Sequence, residues 1–352
     1  MEKPTLALRA WGKLGGIERV SPFGSGHIND TYLVEGAGGR YILQRINTNT
    51  FQDVDGLMQN IRLVTEFITE QTRQAGGDVG RESMRVIPCD DGRLYHRDEE
   101  GSCWRVLSYI EGSVCLQKAR NEQDLFECAA DFGSFQRQLV TETIPRFHDT
   151  PKRYQDFERA VQQDTMDRAA KVQREIEFVR QRKADCRYLF DLQQRGELPL
   201  RVTHNDTKLN NVLLDERTMK GLCVIDLDTV MPGLSAHDFG DTVRFGANDC
   251  REDEEDQSKV HFLPQLYRVC ERGFLSQAGE VLTAREKEVL RWGAKLMTLE
   301  CGMRFLTDYL QGDVYFKIAR PDQNLDRART QFTLVQQMEA CWDELAPEES
   351  KL

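Results

Sequence analysis

Short runs of alternating apolar and polar residues dominate the first third of the chain, and this two-residue period is typical of half-buried β-strands. One longer segment, Val54–Gln74, instead carries apolar residues three and four positions apart, which predicts an amphipathic helix. Residues 1–20 predict a short helix that leads into a strand. The other predicted strands are residues 31–34, 41–46, 84–88 and 103–110. We therefore expect residues 1–112 to form a strand-rich region with one main helix.

Helical spacing of apolar residues prevails from residue 113 to the end of the chain. Residues 154–183 predict a single long helix whose many charges form a solvated face. Thr283 and Glu286 have the spacing of a capping box at the start of a later helix. The later predicted helices are residues 259–276, 283–310 and 325–344. The second part of the chain is therefore expected to be a helical region.

Composition narrows the range of partners. The chain has 352 residues, is 39% hydrophobic and 30% charged, and carries a formal net charge of −11. Such an acidic surface disfavours nucleic acid or an anionic membrane as the main partner. The N-terminus has no apolar stretch of signal-peptide length, and the ten cysteines contain no C-x-x-C pair, so neither zinc nor a redox couple is indicated. We expect a cytoplasmic protein with free thiols and no membrane span.

Two apolar runs separated by turn residues predict a hairpin within the helical region. The runs are residues 212–214 and 222–225. Asp206 and Asn211 precede this hairpin, and Asp226 follows it directly. Because a hairpin returns the chain to its start, we expect these three side chains to converge. Asn and Asp are also common in simple turns, but their joint spacing across a hairpin favours a functional site.

Two carboxylates and an amide provide the oxygen ligands that Mg²⁺ prefers. The kinase catalytic loop uses the same parts: an Asp that accepts the proton of the substrate hydroxyl, and an Asn and a second Asp that bind metal. The spacing His204-x-Asp206-x4-Asn211, followed by an apolar residue and Asp226, matches that loop, with Asn205 in place of its Arg. We therefore expect Asp206 to be catalytic and Asn211 and Asp226 to bind Mg²⁺.

The sequence around these residues resembles the catalytic region of the aminoglycoside phosphotransferase-like small-molecule kinases. It is more similar still to the family of bacterial N-acetylhexosamine 1-kinases, and the similarity extends over most of the chain, from a glycine loop near the start to residues 300–316. The segments that carry it are residues 203–211, 224–233, 238–241 and 244–247.

This resemblance implies a two-lobed, protein-kinase-like α+β fold, with residues 1–112 as the nucleotide-binding lobe and 113–352 as the helical lobe with the catalytic loop and substrate site. It also implies phosphorylation of the anomeric hydroxyl of N-acetylglucosamine or N-acetylgalactosamine by ATP, giving the sugar 1-phosphate and ADP. Other acceptors stay open: an aminoglycoside, another hexose or an amino alcohol. A weakly catalytic nucleotide-binding regulator is a further alternative, and the sequence gives no oligomeric state.

The glycine loop contains Gly24 and Gly26, which would let the backbone approach phosphates, although hairpins also use glycine. The resemblance implies a cation on the third strand. The strand offers Gln44 and Arg45 instead of a lysine, and we expect Arg45 to contact phosphate because it keeps the charge; a solvent-facing arginine is the alternative. The acid that pairs with this lysine in kinases is missing, with Asn60 nearest to its place. By resemblance, the residues beside the purine are Ser108, Tyr109 and Ile110.

The resemblance also assigns residues to the sugar. His27, Arg304 and Tyr315 would contact it, although each has a simpler interpretation as a loop, surface or packing residue. Asp238 opens a Asp-Phe-Gly-Asp string, but it lies too far from the hairpin to be the metal ligand. We expect Asp238 and His204 to brace the backbone of the catalytic loop, and a helix to begin near Asp238.

Overall fold

The structure is a computed structural model that describes residues 3–24, 28–138 and 149–347. It confirms the predicted α+β class, with a sheet-rich N-terminal region and a helical C-terminal region. The chain divides into two compact units, each built from more than one segment. Unit 1 comprises Met1–Val114, Leu214–Thr218 and Leu222–Val230; unit 2 comprises Cys115–Leu213, Met219–Gly221 and Met231–Leu352.

Unit 1 is organised around a six-stranded antiparallel sheet in the order β1-β2-β3-β6-β4, with β5 paired to β6. Its strands are β1 (Ile17–Pro22), β2 (Asp30–Gly36), β3 (Gly39–Ile46), β4 (Val86–Ile87), β5 (His96–Arg97) and β6 (Cys103–Ser108). The helix α1 (Lys3–Ala7) precedes β1, and α2 (Val54–Gln74) has the bounds predicted from its apolar spacing.

The core of unit 1 forms where α1 and the turn after it pack on the sheet. Trp11 and Trp104 are almost fully buried there, together with Leu43 and Val106. Trp11 keeps its indole N–H satisfied by donating to the carbonyl of Ile87 at 2.7 Å. Large buried aromatic groups of this kind contribute most of the apolar area that a small sheet can bury.

Unit 2 is built mainly from helices. In chain order they are α3 (Glu122–Gln138), α4 (Thr150–Gln163), α5 (Gln173–Gln181), α6 (Asp185–Gln194), α7 (Ser235–Gly246), α8 (Pro264–Ala278), α9 (Ala284–Glu288), α10 (Leu290–Gln311) and α11 (Gln323–Ala340). The long α10 is central, and Leu299 and Met303 on it are fully buried among Phe157, Phe332 and their neighbours. The helices α7 and α10 approach so closely that a Cβ atom at Gly293 would overlap the carbonyl of Ala236.

Short strands precede and follow the predicted catalytic loop in the chain. β8 (Arg201–Thr203) precedes the loop and pairs with β11 (Met231–Gly233). β9 (Val212–Asp215) and β10 (Gly221–Val224) follow it as neighbours in a three-stranded sheet with β7 (Ser113–Cys115). The hairpin expected from the two apolar runs is therefore present.

The single helix predicted over residues 154–183 is wrong. α4 ends at Gln163, and Asp164 takes a left-handed conformation with φ of 37°. Its carboxylate then accepts the backbone N–H groups of Arg168 and Ala169, at 2.8 and 2.9 Å, so the chain turns before α5 begins. Aspartate competes with helical hydrogen bonds in this way because its short side chain reaches the nearby backbone.

Other helix boundaries also differ from the sequence predictions. The helix expected over residues 283–310 is interrupted at Val289, which separates α9 from α10. The helix expected from residue 259 begins at Pro264, a residue well suited to a first helical turn. The capping box is confirmed: the side chain of Thr283 accepts the N–H of Glu286, and the carboxylate of Glu286 accepts the N–H of Thr283.

All ten cysteines lie within the described residues and are free thiols. Across the ranges that the structure describes, no helix is both long enough and apolar enough to cross a membrane.

Candidate functional site

The predicted catalytic loop in unit 2 gathers two polar side chains around the carboxylate of Asp206. Lys208 donates from Nζ to Oδ2 of Asp206 at 2.7 Å. The side-chain amide of Asn211 donates to the same oxygen at 3.0 Å and to the backbone carbonyl of Asp206 at 2.8 Å. The sequence placed Asp206 and Asn211 in one loop, and the structure brings them into direct contact. Lys208 was not predicted, although its spacing two residues from Asp206 was visible.

These contacts keep Asp206 ionised. Burial alone would raise the pKa of its carboxyl group, but the charge and hydrogen bond of Lys208 oppose it, with further help from His204 and Asn211, and the net effect lowers the pKa below its ordinary value. A carboxylate that stays charged in a partly enclosed loop can accept a hydrogen bond, and then a proton, from a hydroxyl group.

Asp238 holds the backbone that leads into this carboxylate. Its Oδ2 accepts the N–H of His204 at 2.8 Å, and its Oδ1 accepts the N–H of Asn205 at 2.7 Å. Gln136 donates to Oδ2 at 2.7 Å, and burial raises the pKa of this carboxyl group. Asn205 has φ of 63°, a left-handed conformation that costs energy in a non-glycine residue. Asp238 is therefore placed to maintain a strained turn beside Asp206.

His204 is fully buried beneath the loop. Its ring packs edge-on against Phe132 and Phe135, with centroid separations of 5.3 and 5.6 Å. Its Nδ1 accepts the backbone N–H of Asp206 at 3.3 Å. The ring thus packs against α3 and bonds the backbone of the loop. These contacts are compatible with the prediction that His204 braces the loop backbone.

Asp226 and Asp228 lie in unit 1 and have different environments. Asp226 is exposed and adopts a left-handed conformation with φ of 61°. Asp228 is buried and forms an ion pair with Arg105, with 2.6 Å between Nη1 and Oδ1. Of the two acids in this Asp-x-Asp pair, only Asp226 presents its side chain to solvent, which suits a residue that binds a dissociable metal ion.

Arg105 was missed in the sequence, yet it is the most deeply buried charged group of unit 1. It donates two hydrogen bonds to Oε1 of Gln44, at 2.9 and 2.7 Å, and a third to Oδ2 of Asp228 at 2.9 Å. The signal available was the lone charged residue of the strand Cys103–Ser108. β3 and β6 place Gln44 directly opposite Arg105.

Arg45, which was predicted to contact phosphate, lies on the face of β3 opposite to that of Gln44. Its side chain is 44% exposed and pairs with Asp30 on the neighbouring strand. In the glycine loop, Gly24 has φ of 76°, which favours glycine. Gly26 and His27, the other residues predicted in this loop, lie outside the described residues.

The three residues predicted beside a purine follow the end of the sheet. Ser108 closes β6, and its backbone N–H donates to the carbonyl of Arg85 at 2.8 Å. Tyr109 packs edge-on against the exposed ring of Phe23, with 6.1 Å between centroids, while Ile110 is buried. The predicted strand extended to residue 110, but β6 ends at Ser108, which is opposite Tyr41 of β3.

Arg304 and Tyr315, predicted from resemblance, are neighbours within unit 2. The guanidinium of Arg304 lies 5.8 Å from the centre of the Tyr315 ring and 5.4 Å from that of Phe316. Tyr315 is 62% exposed. The buried Asp308 shapes this segment, because its carboxylate accepts the backbone N–H groups of Val314, Tyr315 and Phe316 at 2.8–3.0 Å.

The proposed metal ligands have the chemistry that a hard cation needs. The amide nitrogen of Asn211 is used by its two bonds to Asp206, which leaves its Oδ1 as the ligand atom. Asp226 adds an exposed carboxylate. Within residues 3–24, 28–138 and 149–347, no group of three or more His, Cys, Asp or Glu residues is arranged to hold a metal ion. The proposed set consists of one amide and one acid, so it does not depend on such a group.

Known proteins share this fold. An aminoglycoside phosphotransferase from Alicyclobacillus acidocaldarius is 12% identical, with 98% of this chain and 96% of that chain covered and a TM-score of 0.65. A microcompartment-associated aminopropanol kinase is 16% identical, with 97% and 99% covered and a TM-score of 0.60. A spectinomycin phosphotransferase, solved with ADP and spectinomycin, is 11% identical, with 95% and 97% covered and a TM-score of 0.55.

The sequence itself matches a family pattern over a long stretch. Residues 19–269, more than half of the chain, match the phosphotransferase enzyme family. This range contains the glycine loop, the catalytic loop and the Asp226 turn. The chain therefore belongs to the phosphotransferase enzyme family.

Proposed function

We propose that this protein transfers the terminal phosphoryl group of ATP to the anomeric hydroxyl of N-acetylglucosamine or N-acetylgalactosamine. Family membership supports the reaction class. The resemblance of the catalytic segments to N-acetylhexosamine 1-kinases supports the acceptor and the position. The observation that carries the choice of acceptor is the environment of Arg304.

The positive charge of Arg304 bears on which acceptors the proposed site would favour. In the part of the chain that the structure describes, no carboxylate lies within ion-pairing distance of its guanidinium, which instead faces the rings of Tyr315 and Phe316. Such a site repels a positively charged acceptor. It suits a neutral sugar, because the guanidinium donates hydrogen bonds to hydroxyl or acetamide oxygens and an aromatic ring covers an apolar sugar face.

Two acids beside this segment already have partners. Asp308 accepts three backbone N–H groups and a fourth bond from Asn324 at 2.9 Å. Asp313 pairs with Arg168 at 2.7 Å. An aminoglycoside or an amino alcohol would need acids available for its ammonium groups. Arg304 therefore favours a neutral acceptor over the cationic alternatives.

In the proposed reaction, Asp206 orients the acceptor hydroxyl and takes its proton. Lys208 keeps the Asp206 carboxylate charged before the hydroxyl binds. Asp238 fixes the loop backbone by accepting the N–H of His204. Phosphoryl transfer passes through a loose transition state, so positioning and charge neutralisation supply most of the acceleration. When bound, Mg²⁺ would neutralise the phosphate oxygens, with Asn211 and Asp226 as its ligands.

The nucleotide side of the proposal rests on unit 1. The backbone of Gly24 and Gly26 would approach the phosphates. The chain from Ser108 to Ile110 would border the adenine, where Phe23 and Tyr109 offer an aromatic surface. Arg45 remains the residue of β3 that we propose contacts phosphate, although it forms an ion pair with Asp30. The ADP in the spectinomycin phosphotransferase supports ATP as the phosphoryl donor.

The proposal is tested by a panel of acceptors with ATP and Mg²⁺, followed by ADP release, with the phosphate position read by NMR. N-acetylglucosamine and glucosamine form a matched pair, because they differ only in the acetyl group that removes the positive charge. We expect N-acetylglucosamine or N-acetylgalactosamine to give the 1-phosphate, and glucosamine, kanamycin, choline and aminopropanol to react poorly.

Two outcomes would contradict the proposal in different ways. Phosphorylation of an aminoglycoside or an amino alcohol, with neither N-acetylhexosamine accepted, would establish the alternative kinase. Metal-dependent ATP binding without turnover on any acceptor would instead favour a nucleotide-binding regulator.

A further inference from the structure

The ion pair of Arg105 and Asp228 is not used by the proposed chemistry, yet it forms the polar centre of unit 1. The two side chains are 2% and 4% exposed. Arg105 donates to Oδ2 of Asp228, lies in ion-pair contact with its Oδ1, and donates two bonds to Oε1 of Gln44. Asn29 completes the group by donating to Oδ2 of Asp228 at 2.7 Å.

Such a pair is a poor way to gain stability. Removing both charges from water costs more than most ion pairs return, and well-packed apolar side chains are often as stable in the same place. A planar guanidinium does, however, fix the direction of every group that it binds. The physical role that remains for this pair is therefore to set geometry.

The geometry that it sets is the turn carrying Asp226. The left-handed backbone of Asp226 is unfavourable for a non-glycine residue and persists only when its surroundings fix it. Two residues later, Asp228 is held by Arg105 and Asn29; two residues after that, the carbonyl of Val230 accepts the side-chain amide of Asn60 at 2.8 Å. Both anchors therefore lie within four residues after Asp226 in the chain.

The same group also reaches the end of the glycine loop. Asn29 follows that loop and uses both ends of its amide, because its Oδ1 accepts the N–H of Asn47 at 3.0 Å while its Nδ2 binds Asp228. Gln44 uses its second end on Thr31 at 3.1 Å. Arg105 is therefore the shared partner of β3 and the Asp226 turn, and Asp228 links that turn to the glycine loop.

We propose that Arg105 is a positioning residue that holds the Asp226 turn in the conformation needed for metal binding, with Asp228 as its charged link. This inference rests on the proposed function, because it takes Asp226 to be a metal ligand. It also gives this chain a buried Arg–Asp pair in the lobe where the lysine–glutamate pair of other kinases is missing.

The test is Arg105→Lys, which keeps the charge but loses the fork. Mn²⁺ serves as the probe, and its affinity is measured by EPR titration in the presence of ADP, so the readout does not depend on turnover. We expect Mn²⁺ to bind about 10-fold more weakly, the usual effect of losing a residue that orients a metal ligand. The KM for the sugar should stay within about twofold, since Arg105 is not assigned to the acceptor.

Arg182→Lys is the matched control. Arg182 forks onto Glu339 at 3.0 and 2.6 Å within unit 2, and it contacts none of the proposed site residues. It should lower thermal stability without changing Mn²⁺ affinity. If Arg105→Lys does not fold, Asn29→Ala decides the question, because it removes one donor to Asp228 and the acceptor of the Asn47 N–H, leaves Arg105 in place, and should still weaken Mn²⁺ binding.

The results separate the two ideas. Unchanged Mn²⁺ affinity in the folded variant, together with normal wild-type kinase activity, overturns the positioning role alone. A wild-type protein that binds no Mn²⁺ with ADP overturns both the positioning role and the proposed metal site.

Discussion

Replacing Lys208 with methionine should change the pH at which the enzyme loses activity in acid. Lys208 is the largest influence that lowers the pKa of Asp206, and burial is the influence that opposes it. In the wild-type protein, Asp206 should therefore stay ionised through the neutral and mildly acidic range. Without Lys208, burial prevails, the pKa of Asp206 rises, and the base becomes protonated at a higher pH.

The size of the effect follows from the geometry of the pair. Nζ and Oδ2 are 2.7 Å apart, and the two side chains are 27% and 28% exposed. An opposite charge at this range shifts a carboxyl pKa by about 1–3 units, and partial exposure to water places this pair at the low end. The acid limb of log(kcat/KM) against pH should therefore move upward by about one pH unit, which corresponds to about 1.4 kcal/mol.

The linkage to stability has a defined sign. Because the folded-state pKa of Asp206 is lowered, its contribution to stability is present above its unfolded pKa, about 4, and is lost as the pH falls through its folded value. Between pH 5 and pH 8 this contribution should therefore be fully present and constant in the wild-type protein. In Lys208→Met, that stabilising contribution should be absent.

The assay is a profile of kcat/KM between pH 4 and pH 8 for the wild-type protein and the variant. Lys152→Met is the control, because Lys152 pairs with Asp156 on the exposed face of α4, at 3.2 Å, and should leave the profile unchanged. A lower rate at pH 8 alone does not bear on the argument. An acid limb at the same pH in Lys208→Met and in the wild-type protein would refute it.

Three further predictions concern the base, the acceptor and the packing. Asp206→Asn should lower kcat by about 10²–10⁴-fold with ATP affinity retained, as measured by steady-state kinetics and calorimetry; a variant with full kcat would remove Asp206 as the base. Arg304→Ala should raise KM for the sugar by about 10- to 100-fold, from a lost charged hydrogen bond of about 1.5–3 kcal/mol, with KM for ATP unchanged; an equal rise for ATP would contradict its assignment to the acceptor. Gly293→Ala should destabilise the fold by about 1–3 kcal/mol or more, because its Cβ meets the backbone of Ala236, whereas Gly16→Ala has open space and should change little; equal melting temperatures for the two variants would count against this packing argument.

Local patterns were sufficient to predict much of the fold. The apolar spacing of α2 located both of its ends, and the capping box of Thr283 and Glu286 identified the start of α9. The break after α4 was missed because it depends on the carboxylate of Asp164 folding back onto two backbone N–H groups, and no periodicity records such a bond. The apolar residues on both sides of that turn kept a spacing typical of one continuous helix.

The residues of the candidate site likewise divide into those predicted from local sequence and those missed. Asp206 and Asn211 were predicted because both lie in one short loop with characteristic spacing. Arg105 was missed because its role depends on strand register: only the pairing of β3 with β6 places it opposite Gln44. A single arginine in an apolar strand does not by itself identify its partners, and Asp228 is more than a hundred residues away in sequence.

One asparagine and one aspartate with left-handed backbone conformations connect these observations. Asn205 lies directly before the proposed base, and Asp226 is the proposed metal ligand; their φ angles are 63° and 61°. Each such conformation costs about 1–3 kcal/mol and is retained only where the surroundings fix it. Asp238 fixes the first by accepting the backbone N–H of Asn205, and the pair of Arg105 and Asp228 anchors the chain just after the second. A buried ion pair such as Arg105–Asp228 contributes little to stability, so we explain its placement by the proposed ligand Asp226, and that of Asp238 by the proposed base that follows Asn205.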